Sequence, residues 1–344
     1  MGESISIKER IKRIKPIISL YEAVFDPIHV IQKRCRARKA SFHSYGKKNK
    51  DKVFMVIWNE SPANALFSFI LFKLGAFKYA DQKGYIPIMD FKNHYAPMMQ
   101  EPDKEGIENS WEYYFMQPDD GYSLDEVYES KRVYLYDRNA FKIPRYDTGI
   151  KLLTSKEELK EWNLYFNKYI RLQPLLNSRI EQEYKKFQDK KILGVAVRAA
   201  AYFSEINSQG TFSGHNRAPS CDELISIIEE KMEMWGYKYI FFVTEDRYYH
   251  ERVKKHFNDH CLSIDRPLFN YFDNDGEPVT SFDSRIKEFS DSRIEEKNKD
   301  YISEIYLLAR CDAIYSTIEG GTICAAILNG GKYKHSEFYC KGDL

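Results

Sequence analysis

The sequence predicts an α/β protein with two successive Rossmann-like, doubly wound domains that face a cleft. Short apolar strands alternate with amphipathic helices in both halves of the chain, and this pattern restarts after a long helical stretch. The length of 344 residues favours two domains over one. We predict a basic helical segment at residues 1–50, an N-terminal α/β domain at 51–189 and a C-terminal α/β domain at 190–344.

The N-terminal segment is strongly basic. Residues 4–39 alternate Ile, Leu and Val with Lys and Arg, which predicts one or two amphipathic helices interrupted near Pro16 and Pro27. Residues 1–50 hold 13 Lys or Arg and 4 Asp or Glu, a net charge of +9; the whole chain carries +1, so the remainder carries −8. The helices either pack on the N-terminal domain or contact an anionic membrane surface. The acidic remainder argues against a nucleic-acid-binding protein.

A βαβ unit is predicted next, and it implies a parallel sheet with covered faces. Its first strand, KVFMVIW, runs into a turn and a strong helix, which Gly84 ends. Residues 40–51 and 91–130 are polar or rich in Pro and Asp, and we expect them to be irregular. The predicted elements of this half are strands at 52–58, 85–90 and 131–136, a helix at 63–83 and long helices within 155–189.

The second half repeats the alternation. Ser220 or Asp222 can cap a helix that Gly236 ends, and a Gly-Gly turn leads into the last helix. In open parallel sheets, ligand-binding groups collect at the carboxyl ends of the strands. The predicted elements are strands at 192–198, 239–244 and 313–316, and helices at 220–235, 247–257, 301–310 and 322–328.

Arg198 stands at the carboxyl end of the first of these strands. A guanidinium there can bind a pyrophosphate through two parallel hydrogen bonds. It can also stabilise the charge on a departing diphosphate. Alternatively, Arg198 only caps the strand or pairs with a nearby acid.

Two further groups follow strands of the same predicted sheet. Thr244, Glu245 and Asp246 can hydrogen-bond a ribose or a guanine edge, although Thr244 or Asp246 can instead cap the following helix. Gly320, Gly321 and Thr322 form a strand-to-helix turn. The glycines let the backbone approach a ligand closely, and the amides at the helix start attract phosphate.

No metal or cofactor site is predicted. None of the six cysteines belongs to a CxxC pair, and His94, His215 and His250 are isolated in sequence. Scattered thiols of this kind are typical of a reduced cytosolic protein. No signal peptide and no apolar run long enough to cross a bilayer is visible, so we expect a cytoplasmic protein.

Several blocks resemble a known family in their order and spacing. They are similar to bacterial members of the fucosyltransferase-like GT-B glycosyltransferase superfamily, which includes nodulation and core fucosyltransferases. The resemblance covers about residues 52–340. In the C-terminal half the blocks are GVAVR at 194–198, Gly-His at 214–215, FVTED at 242–246, SEIYLLARCD at 303–312 and EGGT at 319–322; in the N-terminal half they are NSWEYYF at 109–115 and GYSLDEVY at 121–128.

The resemblance implies a GT-B fold, inverting transfer from a GDP-sugar, with GDP-fucose as the donor, and no metal or other cofactor. Its acceptor would be a glycan or a lipid-linked oligosaccharide of surface polysaccharide or glycoconjugate synthesis. By matching position, Arg198 would hold the diphosphate, and His215 corresponds to a histidine of the family. The donor pocket would be lined by Glu245, Asp246, Glu304 and Thr322.

The general base is less well marked. Glu205, in the loop after Arg198, is the candidate that would take the acceptor's proton. It is alternatively a solvated loop acid. Asp273, Asn274 and Asp275 match the Asp-x-Asp metal pattern of the other large glycosyltransferase class, but they lie in a turn-like sequence, and we do not expect a metal there.

The chain departs from the family pattern at two places. Ala199, Ala200 and Ala201 stand where the family has Gly-Thr-Asp or Arg-Thr-Asp. Glu319 and Gly320 replace hydroxyl residues, and a charged Glu319 beside a diphosphate is unfavourable unless it points away. Either the enzyme uses another sugar or acceptor, or the protein is a catalytically degenerate binding protein that recruits a partner glycosyltransferase.

Overall fold

Two β-sheets, one in each half of the chain, organise the computed structural model, and the predicted α/β class is confirmed. The basic segment predicted at 4–39 lies outside the residues that the structure describes. Those residues are 42–58, 66–94, 96, 99, 101–136, 151–198, 218–270 and 294–339.

The N-terminal sheet has four strands in the order β1-β4-β2-β3. Strands β2, β3 and β4 are mutually parallel, and β1 pairs with β4 in the antiparallel direction. The predicted βαβ unit is present, because helix α1 (Leu66–Lys83) joins β2 to β3. The strands are β1 (Phe42–His43), β2 (Phe54–Ile57), β3 (Ile86–Met89) and β4 (Val133–Leu135).

The C-terminal sheet has five parallel strands in the order β7-β6-β5-β8-β9. From β5 the chain builds outward through β6 and β7, and then crosses to the other side of β5 to form β8 and β9. The topological switch point therefore lies between β5 and β8, where open α/β sheets bind ligands. The strands are β5 (Ile192–Ala196), β6 (Tyr239–Val243), β7 (Cys261–Leu262), β8 (Ala313–Thr317) and β9 (His335–Tyr339).

The helix ends follow from local capping. Helix α5 (Cys221–Trp235) starts with a capping box, in which Ser220 Oγ accepts from the Glu223 amide (3.3 Å) and the Ser220 amide donates to Glu223 Oε2 (3.0 Å). It ends at Gly236, whose φ of 72° places it in the left-handed region. Other helices in the described part of the chain are α2 (Leu124–Val127), α3 (Lys156–Tyr169), α4 (Pro174–Tyr184), α5 (Cys221–Trp235), α6 (Arg247–Phe257), α7 (Ile294–Leu308) and α8 (Gly320–Asn329).

Helix α7 begins at Ile294, well before the predicted start at residue 301. The added turns are polar, so they lack the apolar repeat by which a helix is recognised in a sequence. They are stabilised instead by pairing along the helix, where Lys299 Nζ lies 2.7 Å from Glu295 Oε1 and 2.9 Å from Glu296 Oε1.

Helix α8 is buried almost throughout and packs against α1, α3 and α7. At its start, Tyr301 of α7 lies so close that a Cβ atom on Gly321 would be 2.2 Å from the tyrosine hydroxyl. At its end, Asn163 Nδ2 donates to the carbonyls of Ile327 (2.9 Å) and Leu328 (2.8 Å). Helix α8 thus joins the helices of both halves in one apolar core. The domain boundaries remain a prediction.

Candidate nucleotide-sugar site

The residues singled out in the C-terminal half meet at the carboxyl edge of its sheet. Arg198 follows β5, Thr244 and Glu245 follow β6, and Glu319 lies between β8 and α8. Because the strands are parallel, all of these positions share one edge. This edge includes the switch point between β5 and β8.

Arg198 connects three strand ends. Its backbone amide donates to Thr317 Oγ1 at 3.4 Å, and its Nε lies 3.6 Å from Glu245 Oε1. About two fifths of its side chain remains exposed (38%). The guanidinium is therefore held at the edge by Glu245 and is still accessible to a ligand.

Arg266 follows β7, and its side chain is largely buried at this edge. One of its terminal nitrogens donates to the Thr244 carbonyl at 2.8 Å. Its Nε lies 2.8 Å from Glu304 Oε1, although that N–H does not point at the oxygen well enough for a hydrogen bond. Sequence reasoning missed Arg266 because β7 has only two residues. Recognising β7 would have placed Arg266 just beyond a strand end.

Glu304 projects from α7 and is fully buried. Within the described residues its Oε2 has no hydrogen-bond partner. Burial raises the pKa of this carboxyl to about 8; Arg266 opposes the shift, and Asp300 and Glu245 add to it. Burial therefore favours the protonated form of Glu304, which can donate a hydrogen bond, whereas Arg266 favours the charged form.

Glu319 precedes α8 and is also buried. Its Oε2 makes no hydrogen bond to any described residue. Burial raises its pKa to about 7, Glu245 adds to the shift, and Arg198 and Arg266 oppose it. At neutral pH the Glu319 carboxyl is divided between charged and neutral forms. It therefore repels a diphosphate less strongly than the fully charged carboxylate considered in the sequence analysis would.

Three other predicted residues take part in local structure. Asp246 Oδ1 accepts from the Tyr249 amide at 2.9 Å and caps α6, and Thr244 Oγ1 accepts from the Asp246 amide at 3.4 Å. Thr322 Oγ1 donates to the Thr317 carbonyl at 2.8 Å and accepts from the Glu319 amide at 3.1 Å. These bonds fix the shape of the edge, and a part in ligand binding stays a prediction for each.

Some predicted features lie outside the described residues. They include Glu205, His215 and the alanines 199–201, as well as the turn at 273–275. Among the residues that are described, no group of three His, Cys, Asp or Glu side chains is arranged to hold a metal ion. In the same ranges, no helix has both the length and the apolar character that a membrane crossing demands.

Comparisons with known proteins give matches among solved structures. No family model matches the chain, and no curated protein sequence matches it. The fucosyltransferase NodZ from Bradyrhizobium is 15% identical over 80% of this chain and 92% of that chain, with a TM-score of 0.45. POFUT1 in complex with GDP is 9% identical over 83% of this chain and 98% of that chain, with a TM-score of 0.43.

Proposed function

We propose that this protein is a glycosyltransferase that uses a GDP-sugar, with GDP-fucose as its donor. The observation that carries this proposal is the placement of Arg198 and the N-terminus of α8 on either side of the switch point. Both are anion-binding elements: a guanidinium forms paired hydrogen bonds with phosphate oxygens, and a helix N-terminus offers amides and a favourable dipole.

The same groups suit departure of a nucleoside diphosphate. Negative charge grows on the leaving phosphate oxygen as the anomeric bond breaks, and a fixed guanidinium stabilises that charge. Glu245, 3.6 Å from Arg198 Nε, is the carboxylate that an incoming diphosphate would replace as the partner of this arginine. Protonation of Glu304 and Glu319 would leave the cluster, with Arg198, Arg266 and Glu245, net positive.

The finer parts of the proposal come from the sequence. Transfer would be inverting, by a single displacement that needs no metal, and Glu205 is the base that the sequence suggests. The acceptor would be a glycan or a lipid-linked oligosaccharide. The basic segment at 4–39 would place the protein at the cytoplasmic face of a membrane, and no role with nucleic acids is proposed.

Nucleotide binding tests the proposal directly. The thermal unfolding of the full chain is followed with GDP, UDP, CDP and GDP-fucose in the presence of EDTA. We expect GDP and GDP-fucose alone to raise the unfolding temperature. Arg198→Ala should weaken GDP binding roughly 10- to 100-fold, as expected for loss of hydrogen bonds to a charged group.

Arg310→Ala is the matched control. Arg310 is similarly exposed (29%) and pairs with Glu181, but it precedes β8 and so lies toward the opposite edge of the sheet. The Arg310→Ala variant should bind GDP as the wild type does. Failure of all nucleotides to bind contradicts the proposed function. Binding of GDP-fucose with no sugar release to water or to any glycan acceptor favours the non-catalytic binding protein.

A further inference from the structure

A second polar and aromatic cluster lies at the carboxyl edge of the N-terminal sheet. Trp58 directly follows β2, and Asp90 directly follows β3. Because β2 and β3 are parallel, both residues stand on the same edge. His94, which is isolated from other candidate residues in the sequence, joins them there.

Asp90 is fully buried and firmly oriented. Its Oδ2 accepts a hydrogen bond from the Tyr128 hydroxyl at 2.6 Å, and its Oδ1 accepts one from the Asn93 amide at 2.9 Å. A buried carboxylate with two such bonds is fixed in direction. It can therefore orient a neighbouring group.

That neighbour is His94. Its Nε2 lies 3.9 Å from Asp90 Oδ2, and its ring stacks on Trp58 with centroids 4.9 Å apart and planes at 19°. Its side chain is still 36% exposed. At 3.9 Å the contact is electrostatic and not a hydrogen bond; the negative charge near Nε2 favours the tautomer with its proton there, which leaves the lone pair on Nδ1 to accept a proton.

The carboxyl edges of the two sheets are joined through Tyr301. Phe67, in the first turn of α1, packs edge-on against Tyr301 with ring centroids 5.0 Å apart. The Tyr301 hydroxyl in turn lies against Gly321, in the first turn of α8. Helices α1 and α8 start at the carboxyl edges of their respective sheets, and Tyr301 contacts the first turn of both.

We propose that His94 is the general base of the transfer reaction and that Asp90 positions it. This assignment rests on the proposed function. The acceptor hydroxyl gives its proton to His94 Nδ1 as its oxygen bonds to the anomeric carbon of the sugar. The bond from that carbon to the phosphate oxygen breaks, and its electron pair leaves with GDP. His94 thereby takes the role that the sequence suggested for Glu205.

The surroundings of His94 suit a base at neutral pH. Burial lowers the pKa of its imidazole, and Asp90 opposes that effect, so the ring is neutral and able to accept a proton. Tyr128 donates to Asp90 Oδ2, the same oxygen that lies nearest His94, and Tyr45 packs edge-on against Tyr128 at 5.1 Å. Burial and then Asp90 raise the pKa of both phenols, which stay protonated.

Among the described residues, Lys73 is a cation close to this group. Lys73 Nζ lies 4.2 Å from the centre of the Tyr136 ring, which packs edge-on against Trp58. Lys73 therefore faces the cluster through two aromatic rings rather than through a direct contact with His94. Within the described part of the chain, Asp90 is the charged group that acts on the pKa of the imidazole.

The test compares the full-length wild type with His94→Ala, Asp90→Asn and His335→Ala. His335 is the matched control, because it also stacks on a tryptophan (Trp235, 5.1 Å and 11°) but begins β9 at the amino edge of the other sheet. Each protein is assayed for GDP binding, and for release of fucose from GDP-fucose to water and to a glycan panel, between pH 5 and 9.

We expect all four proteins to bind GDP within about twofold. His94→Ala should lose roughly 100-fold or more in kcat with little change in KM for GDP-fucose, and added imidazole should restore part of that loss. Asp90→Asn should move the acid limb of the pH profile, which a purely structural role would not do. His335→Ala should match the wild type.

The outcomes distinguish failure of the proposed function from failure of the assignment of His94 as the base. A wild type that binds no nucleotide contradicts the proposed function itself. A wild type that binds GDP but releases no fucose overturns the assignment of a base and leaves nucleotide binding intact. Turnover by His94→Ala at the wild-type rate, or a loss that imidazole does not restore while the protein stays folded and binds GDP, also overturns it.

Discussion

Replacing the buried carboxyl of Glu319 with an amide should stabilise the protein at alkaline pH and not at acid pH. Glu319→Gln keeps the shape of the side chain and removes its ionisation. The pKa of Glu319 is raised from 4.5 to about 7, because burial disfavours its charged form. The folded state must therefore bear the cost of ionising this group as the pH rises.

The magnitude follows from that shift. One pKa unit corresponds to about 1.4 kcal/mol, so a rise from 4.5 to about 7 costs roughly 3 kcal/mol once both states are ionised. The favourable contribution of protonated Glu319 to the free energy of unfolding is fully present below pH 4.5 and is lost as the pH rises through 7. Most of the difference between Glu319→Gln and the wild type should develop between pH 5 and 8.

Denaturant unfolding at pH 5, 6, 7 and 8 measures this difference. Glu304 titrates in both proteins, so its effect cancels to first order in the comparison. Glu233→Gln, on an exposed position of α5, is the control and should follow the wild type at every pH. A gap between Glu319→Gln and the wild type that stays constant from pH 5 to 8 would refute the reasoning, because it would mean that the Glu319 carboxyl is solvated.

Three other changes have defined outcomes. Gly321→Ala places a Cβ atom 2.2 Å from the Tyr301 hydroxyl, and we expect it to lower the free energy of unfolding, measured by thermal unfolding, by about 1–3 kcal/mol. Adding Tyr301→Phe should restore part of this loss. An equal loss in the double variant would contradict the prediction. Asp246→Ala removes the cap of α6 and should lower the free energy of unfolding by about 1 kcal/mol. Asp246→Asn can still cap the helix and should change this free energy little. Identical losses in the two variants would argue against capping. The GDP affinity of the wild type, measured by calorimetry, should fall several-fold from pH 7 to 9, because Glu304 ionises with its pKa of about 8. Glu304→Gln should flatten this fall. Parallel pH profiles for the two proteins would exclude Glu304 as its source.

The apolar strands were predictable because each is a short run of buried residues. Strands β2, β3, β4, β5 and β6 fall within the predicted ranges, β8 extends one residue beyond its predicted end, and helix α6 has the predicted bounds. Arg198 was recognised for the same reason: the run that forms β5 ends just before it. The capping by Asp246 was weighed as an alternative from its position alone, and it is what the structure shows.

Other elements carried no such signal. Strand β1 and strand β7 have two residues each, and β9 (HSEFY) is a polar edge strand with most of its side chains exposed. Their backbone pairing depends on neighbouring strands rather than on an apolar pattern of their own. Because β7 was not recognised, Arg266 could not be assigned to the carboxyl edge.

The sequence by itself determined the class of fold and the chemical type of the groups at the strand ends. Only the tertiary structure decided which of those groups are buried together. The stacking of His94 on Trp58, and the burial of Glu304 and Glu319 beside Arg266 and Arg198, depend on contacts between elements that are distant in the sequence. The physical reason is that the ionisation of a side chain depends on its solvation and on charges brought close by the fold, and local sequence encodes neither.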